Sequence, residues 1–303
     1  MNRIFKITFI CIIYLGNILN VSSQNYVDLF NVGSNISPNN SIKNSNETIN
    51  ISETFCMFKL PIVLKNKDII IAGTSFNLMS FNKQITLTNS TDFYSTTFQL
   101  GYTKQWNDKW NTMLIALPKV SSDFEEVNNK DWQMGGILLF TYKKKENLKY
   151  KFGGYYNQEY FGPMFVPIIG IDWQPSDKIS VFGNLPIALT FDYRFSKRFS
   201  TGIYFNAPTF SYRLGEKFHN EYIQKSSQDL SLYLDSYIFK NIVFSAKGGH
   251  SFGRSYRIYS ENDKLSAKIS AVAIGDNRLQ LSNDINDGYF FEIKLSYRVP
   301  LKK

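Results

Sequence analysis

His250 and Ser251 stand side by side in Gly248–Arg257 (GGHSFGRSYR), a base next to a hydroxyl, the pairing from which hydrolases activate a nucleophile. The flanking residues alternate as in a β-strand, where neighbouring side chains point to opposite faces. His250 then shares an apolar face with Ile242, Phe244, Ala246 and Phe252, and Ser251 a polar face with Ser245, Lys247, Ser255 and Arg257. The two are catalytic candidates only if a bulge realigns them. A second set of chemical groups lies on polar faces. The carboxylates Asp192, Asp235, Glu159 and Glu292 could pair for acid–base work, or form salt bridges with Arg194, Arg257, Lys294 and Arg298. His219 sits in a polar loop with no partner in sequence. Two histidines and Cys56 make no metal-ligand spacing, and no glycine-rich loop opens a helix to hold a phosphate, so neither metal nor cofactor is expected.

These residues need a scaffold, and the turns reveal it. Six short polar turns recur: Lys65 to Lys67, Asn107 to Lys109, Lys143 to Asn147, Pro175 to Asp177, Ser196 to Arg198, and Lys240-Asn241. Each joins two segments that alternate apolar and polar. In the last segment Tyr289, Phe291, Ile293, Leu295, Tyr297 and Val299 oppose Glu292, Lys294, Ser296 and Arg298. Leu230, Leu232 and Leu234 oppose Ser231, Tyr233 and Asp235 in the same way. Segments of about ten residues suit a tilted strand crossing a bilayer. Trp106 and Trp110 bracket one short turn, Phe195 and Phe199 another, and Tyr142, Trp173 and Phe239 stand before others, the aromatic girdle of a membrane interface.

The fold class is therefore all-β: an up-and-down antiparallel transmembrane β-barrel. Strands are placed at 26–36, 52–64, 68–79, 93–104, 109–119, 131–143, 147–158, 163–174, 178–184, 187–196, 199–213, 222–238, 241–257 and 288–299, about fourteen. Losing the poorly apolar first strand and the tight Asn184-Leu185-Pro186 link would leave twelve. The opposite end carries polar loops at 37–51, 80–92, 120–130, 214–221 and 258–287. The first, rich in Asn and Ser, reads as disordered. The last is a long extracellular loop in which Leu265, Ile269 and Val272 have helical spacing, able to cover the mouth or to form a surface hairpin.

Arg3 and Lys6, a short apolar core from Ile7 to Leu15 and Val21-Ser22-Ser23 read as a signal peptide over residues 1–23, with the barrel at 24–303. That core is about half the length of a membrane-spanning helix. The net charge of +9 is spread over turns and strand faces of an exported chain, so nucleic acid is not the expected partner. Expected partners are membrane lipid, lipopolysaccharide and the outer-membrane assembly machinery. Many such barrels end on an aromatic residue that this machinery reads; this chain ends Val299-Pro300-Leu301-Lys302-Lys303.

The strings Phe161-Gly162-Pro163, Phe165 to Trp173 (FVPIIGIDW), Ser211 to Leu214 (SYRL), Gly249 to Arg257, Asp287 to Glu292 (DGYFFE) and Tyr297-Arg298-Val299 together resemble an outer-membrane β-barrel family of Bacteroidota, domain-of-unknown-function family 6268. The resemblance covers most of the mature chain. It implies the barrel fold and an integral outer-membrane location, and brings no activity, cofactor or catalytic residue.

The resulting expectation is a narrow or plugged channel or transporter for small polar or anionic solutes. Lys247, Arg257, Arg194, Lys294 and Arg298 would form a basic lumen with Asp192 and Glu292. The alternatives are an outer-membrane lipid hydrolase of deacylase or phospholipase type, and a non-conducting structural or binding barrel.

Overall fold

The computed structural model describes residues 26–83, 91–215 and 221–300. The leader at 1–23 and His219 lie outside them. The alternating segments form β1 Tyr26–Ser41, β2 Thr48–Val63, β3 Ile69–Phe81, β4 Asp92–Gln105, β5 Trp110–Ser122, β6 Trp132–Lys145, β7 Leu148–Glu159, β8 Gly162–Trp173, β9 Ile179–Leu185, β10 Ala188–Arg194, β11 Phe199–Asn206, β12 Thr209–Arg213, β13 Tyr222–Tyr237, β14 Ile242–Tyr259, β15 Ala267–Ile269, β16 Val272–Ile274 and β17 Gly288–Pro300. β11 and β12 follow each other along β13 and act as one strand, while β15 and β16 form a hairpin within the last loop. The other strands pair antiparallel in chain order, and β17 pairs with both β14 and β1. The result is a closed, fourteen-stranded, up-and-down antiparallel barrel. Tyr26 lies opposite Pro300, so both ends of the described chain sit at the short-turn end.

Strand period divides the two faces. Leu230, Leu232 and Leu234 are exposed, whereas Ser231, Tyr233 and Asp235 are buried. The same holds for Tyr289, Phe291, Ile293 and Leu295 against Ser296 and Arg298. Such exposed apolar side chains run round the whole barrel; the largest apolar patch on a soluble monomer is about 300–600 Å². At the short-turn rim Trp110 packs on Tyr142 with centroids 4.8 Å apart, and Phe195 stacks on Phe199 at 6.0 Å.

Two segments differ from their sequence reading. Residues 37–51 are not a disordered loop: β1 continues to Ser41 and β2 begins at Thr48. Asn40 is buried there, its amide donating to Ser37 O at 2.7 Å and Ile49 O at 3.0 Å, while Asn50 Oδ1 accepts from Asn39 N. The amides that look like loop composition replace backbone partners at a bulge and extend the hairpin. Residues 267–274 form a hairpin, not a helix. β9 pairs with β8 only from Ile169 to Trp173, and the upper edge of β8 is completed by β15, with Lys268 opposite Met164 and Ile269 opposite Phe165. An open strand edge outweighs helical spacing because each unpaired backbone group is costly.

The loop end is closed from within. The upper arms of β12, β13 and β14 lean across the lumen until Arg213 bridges to Ser122 of β5. Tyr222, Ile223, Gln224 and Lys225 are consecutive and all buried, so this arm has no solvent face. On one side of it Ile49, Met79, Phe81, Phe93, Tyr212, Leu214, Ile223, Tyr256 and Ile258 form an apolar cluster. On the other, Tyr222 and Tyr259 pack with Phe161, Met164, Val166 and Leu265.

At the first short turn Asp68 accepts hydrogen bonds from the Tyr102 hydroxyl, from Gln105 N at 2.8 Å and from Lys104 Nζ at 3.0 Å. The Tyr102 hydroxyl first, then the backbone amide, holds its carboxyl down at about 2. A depressed carboxylate contributes stability above its unfolded pKa of about 3.9 and loses it as pH falls through the folded value. Asp68→Asn should therefore lower the denaturant midpoint at pH 7 and have little effect near pH 2. Equal losses at both pH values would refute a charge-based role.

Candidate functional site

Inward side chains divide the lumen into three tiers. The uppermost is the seal, built of the two apolar clusters and the polar residues between them. Lys119 Nζ lies 2.9 Å from Glu159 Oε1, with side-chain exposures of 5% and 0%. Glu159 also accepts from Ser211 N at 2.9 Å and Ser211 Oγ at 2.5 Å, and from the Asn157 amide. Arg213 Nη1 donates to Asp131 Oδ1 at 2.9 Å, while Asp131 Oδ2 caps the short helical turn by accepting from Asn128 N. These contacts fasten β12 to β7, through Glu159 to Lys119 of β5, and to the helical turn that precedes β6. A buried charge is tolerated when it is paired and its remaining hydrogen-bonding capacity is met, and Glu159 meets both conditions. Lys225 pairs with Glu53 below the first apolar cluster.

Below the seal lies a cavity of about 480 Å³ whose polar wall comes from β1, β13, β14 and β17. Arg298 Nε donates to Asp28 Oδ1 and its Nη1 to Asp235 Oδ2, each at 2.7 Å. Its guanidinium lies 3.7 Å from the Tyr26 ring centroid, and Asp235 accepts a further bond from Ser245 Oγ at 2.6 Å. Lys247 pairs with Glu292 at 2.8 Å and stands 4.4 Å over the Tyr204 ring. Asp192 accepts from the Tyr233 hydroxyl at 2.6 Å. Lys294 lines the cavity and makes no ion pair among the described residues. Phe55, Ser75, Asn77, Ser95 and Thr97 form the uncharged opposite wall. The third tier is a vestibule at the short-turn mouth, sharing Tyr26 and Arg298 with the cavity.

The sequence-derived residues therefore separate. Asp192, Lys247, Glu292, Lys294 and Arg298 gather in or beside the cavity. Arg194 belongs to the vestibule, its guanidinium 4.4 Å from the Tyr237 ring. Arg257 departs from the expected lumen ring: it lies at the loop end, where Nε donates at 2.9 Å to Asp284 of the last loop. The reason is the bulge in β14 at Gly253-Arg254, two residues against Ser227 of β13, which reverses the alternation so that Ser251, Arg254 and Tyr256 share one face and Arg257 turns to the other. The lumen bases are also not an isolated positive ring, because Lys247 and Arg298 have carboxylates within ion-pair distance.

His250 and Ser251 point to opposite faces. The His250 ring lies on the outer face between Phe252 and Tyr289, with centroids 4.6 and 4.9 Å away. Ser251 is buried on the inner face, in the polar layer with Asp229 and Arg254. The bulge in this hairpin falls between Ser226 and Gln228 and leaves the pair unaligned. Among the described residues no three His, Cys, Asp or Glu groups gather as metal ligands.

Sequence reasoning missed Asp28, Tyr26, Asp131, Lys119 and Arg213. Asp28 shares the alternation of β1 that Arg298 shows in β17, so it was open to the same reading. The Asn128–Asp131 cap was a further local sign.

The strand pairing, inward polar faces and closed upper end define a membrane-type β-barrel architecture with an internally sealed lumen. Residues 34–298 match the family described as Domain of unknown function (DUF6268), and the chain belongs to that family. No curated protein matches the chain. Among solved structures it is similar to the COG4313 outer membrane channel from Pseudomonas putida F1, with 8% identity over 93% of this chain and 98% of that one, at a TM-score of 0.44. The NanC porin shares 9% identity over 88% and 98%, and the TodX monoaromatic hydrocarbon channel 9% over 90% and 90%, both at 0.38. At these scores the likenesses carry no argument, and the fold rests on the pairing described above.

Removing one partner of a buried ion pair costs about 3–5 kcal/mol, and replacing both by apolar groups costs little. Glu159→Ala should destabilise the refolded barrel by that amount in denaturant unfolding, and Lys119→Met with Glu159→Leu should regain only part of it, because Ser211 N–H is left without its acceptor. An unaffected Glu159→Ala would mean that this contact does not hold β12 in the mouth.

Proposed function

We propose that the protein is an integral outer-membrane barrel, exported through cleavage of its first 23 residues, that acts as a narrow channel or transporter for small polar solutes. The observation that carries this reading is the one-ended cavity of about 480 Å³, polar inside an apolar wall and sealed at the loop end. The apolar outer face with aromatic rims supports membrane insertion, since lipid-facing apolar and lumen-facing polar residues alternate in such barrels. The seal makes this the closed state. Passage requires the β12–β14 arm to move, which breaks its polar fastening to β7 and to the edge of β5. Acid and base face each other in the cavity, which suits neutral or zwitterionic solutes; Lys294 supplies the bias toward anions. His250 and Ser251, on opposite faces, give the hydrolase reading no support.

Location is tested on the outer face. Leu232, 66% exposed at the middle of β13, should tolerate Ala. Leu232→Arg should cost about 2–4 kcal/mol in phospholipid vesicles if that face meets lipid. An unchanged unfolding midpoint would count against insertion.

Function is tested in planar bilayers. The wild-type barrel should show rare, small conductance steps, and Phe93→Ala combined with Tyr212→Ala should raise the open fraction several-fold. Both rings sit in the first apolar cluster, their centroids 6.0 Å apart. Silence from both proteins, when demonstrably folded, would replace the channel with a binding barrel.

A further inference from the structure

The vestibule differs from the rest of the lumen in its charge. It has a volume of about 440 Å³, and its lining includes Arg194, Lys197, Arg198, Lys240 and Arg298 but no carboxylate. Two turns bring these bases together. Residues 195–198 join β10 to β11 and residues 238–241 join β13 to β14. Tyr237 N donates to Arg198 O at 2.8 Å, which holds the turns side by side. Ser196 Oγ accepts from Arg198 N at 3.1 Å and Phe199 N at 3.0 Å, so the first turn is itself fixed. Inward of the turns, aromatic rings and guanidinium planes are interleaved. Arg298 stands 3.7 Å from the Tyr26 ring and 5.8 Å from Tyr237, and Arg194 stands 4.4 Å from Tyr237. Contact with an aromatic face orients a guanidinium without using its donors.

Acid content separates these two turns from the other short turns, which hold Asp68, Asp108, Glu146 and Asp177, whereas residues 195–198 and 238–241 hold none. Elsewhere on the rim some bases have an acid: Lys67 with Asp108 at 4.0 Å, Lys104 with Asp68 at 3.0 Å, Lys143 with Glu146 at 2.7 Å. Arg298 is offset by Asp28 and Asp235. Arg194, Lys197, Arg198 and Lys240 make no ion pair among the described residues, although they face one concavity. Like charges collected with no carboxylate at ion-pair distance oppose one another unless an anion joins them, and guanidinium forks match phosphate oxygens in pairs.

We propose that this vestibule is a phosphate-binding site: Arg194, Lys197, Arg198 and Lys240 take the phosphate group of a small phosphorylated solute at the short-turn mouth. Arg194 lies deepest, beside the neck formed by Tyr26 and Arg298, so a bound phosphate sits in line with the cavity. Binding stands on the geometry of the vestibule alone. Its role as the antechamber of a permeation path rests on the channel reading. The same chemistry is offered by phospholipid head groups of the adjoining leaflet, and the experiment separates the two sources.

The test is calorimetric titration of inorganic pyrophosphate into the refolded protein, in phospholipid-free detergent at low salt. One saturable site is expected, weakened by about tenfold or more in Arg194→Gln and in Lys240→Gln, as loss of a charge-assisted contact predicts. Lys240 is exposed on a turn, so its variant keeps the fold even if Arg194→Gln does not. Lys143→Gln, on the same rim but with an acid partner, should leave binding unchanged. Absence of saturable binding, or equal weakening by Lys143→Gln, overturns the proposal. Competition by glucose 6-phosphate but not by dihexanoyl phosphatidic acid identifies a free solute; the reverse identifies a head group. The same preparations in planar bilayers keep the two readings apart. Binding without conductance removes the channel alone, and conductance without binding removes the vestibule site alone.

Discussion

Backbone hydrogen bonding is the constraint from which the other features of this barrel follow. A strand facing lipid on one side has no water there to satisfy an unpaired N–H or C=O, so each must find a neighbour along its length. β1 and β17 meet for that reason, and their pairing brings Asp28 opposite Arg298. The same requirement acts where the wall is uneven. β9 leaves the upper half of β8 without a partner, and the last loop supplies β15 to complete it. β11 likewise stops at Asn206, and β13 continues along β12, which is free to lean inward because its other edge leaves the wall. The seal is thus a product of unequal strand lengths as much as of apolar side chains.

How much of this was legible depended on the range of the interactions. Turns and alternation are local, and they located fourteen strands, including the doubtful first one and the link at Leu185-Pro186. They fail where composition and context disagree. The Asn and Ser residues at 37–50 have the composition of a loop, but Asn40 and Asn50 act as backbone surrogates once the hairpin exists. Leu265, Ile269 and Val272 have helical spacing by coincidence, since the edge of β8 decides their conformation. The interior was less legible still. Tyr222 to Lys225 lose their alternation because both faces are covered, which no period in one segment can reveal. Lys225 meets Glu53 across 172 positions and Arg213 meets Asp131 across 82. The sequence offers acids and bases on polar faces, and only closure of the barrel decides which of them meet.

The lumen charges carry the functional argument, and their value depends on solvent. A base facing an open aqueous pore attracts anions, while the same base hydrogen-bonded to two carboxylates, as Arg298 is, mainly joins strands. The cavity therefore has the character of a polar interior. Apart from Lys294, surplus charge gathers where water enters, at the mouth between β10–β11 and β13–β14. Polarity inside, surplus charge at one end and an apolar seal at the other give the lumen a direction that an evenly charged tube would lack.

β9 and β10 have seven residues each, whereas β13 and β14 have 16 and 18. At about 3.3 Å per residue and a tilt near 40°, seven residues rise about 18 Å, less than the ~25 Å apolar band of an outer-membrane barrel. Ile269, Val272 and Ile274, all exposed, supply the missing height from a hairpin held to the wall along β15. In a bilayer this sector would be the compliant one. Thicker lipid would press on a tethered six-residue patch, while elsewhere it would meet continuous sheet, so membrane thickness would act mechanically on the segment that also packs Leu265 against the seal.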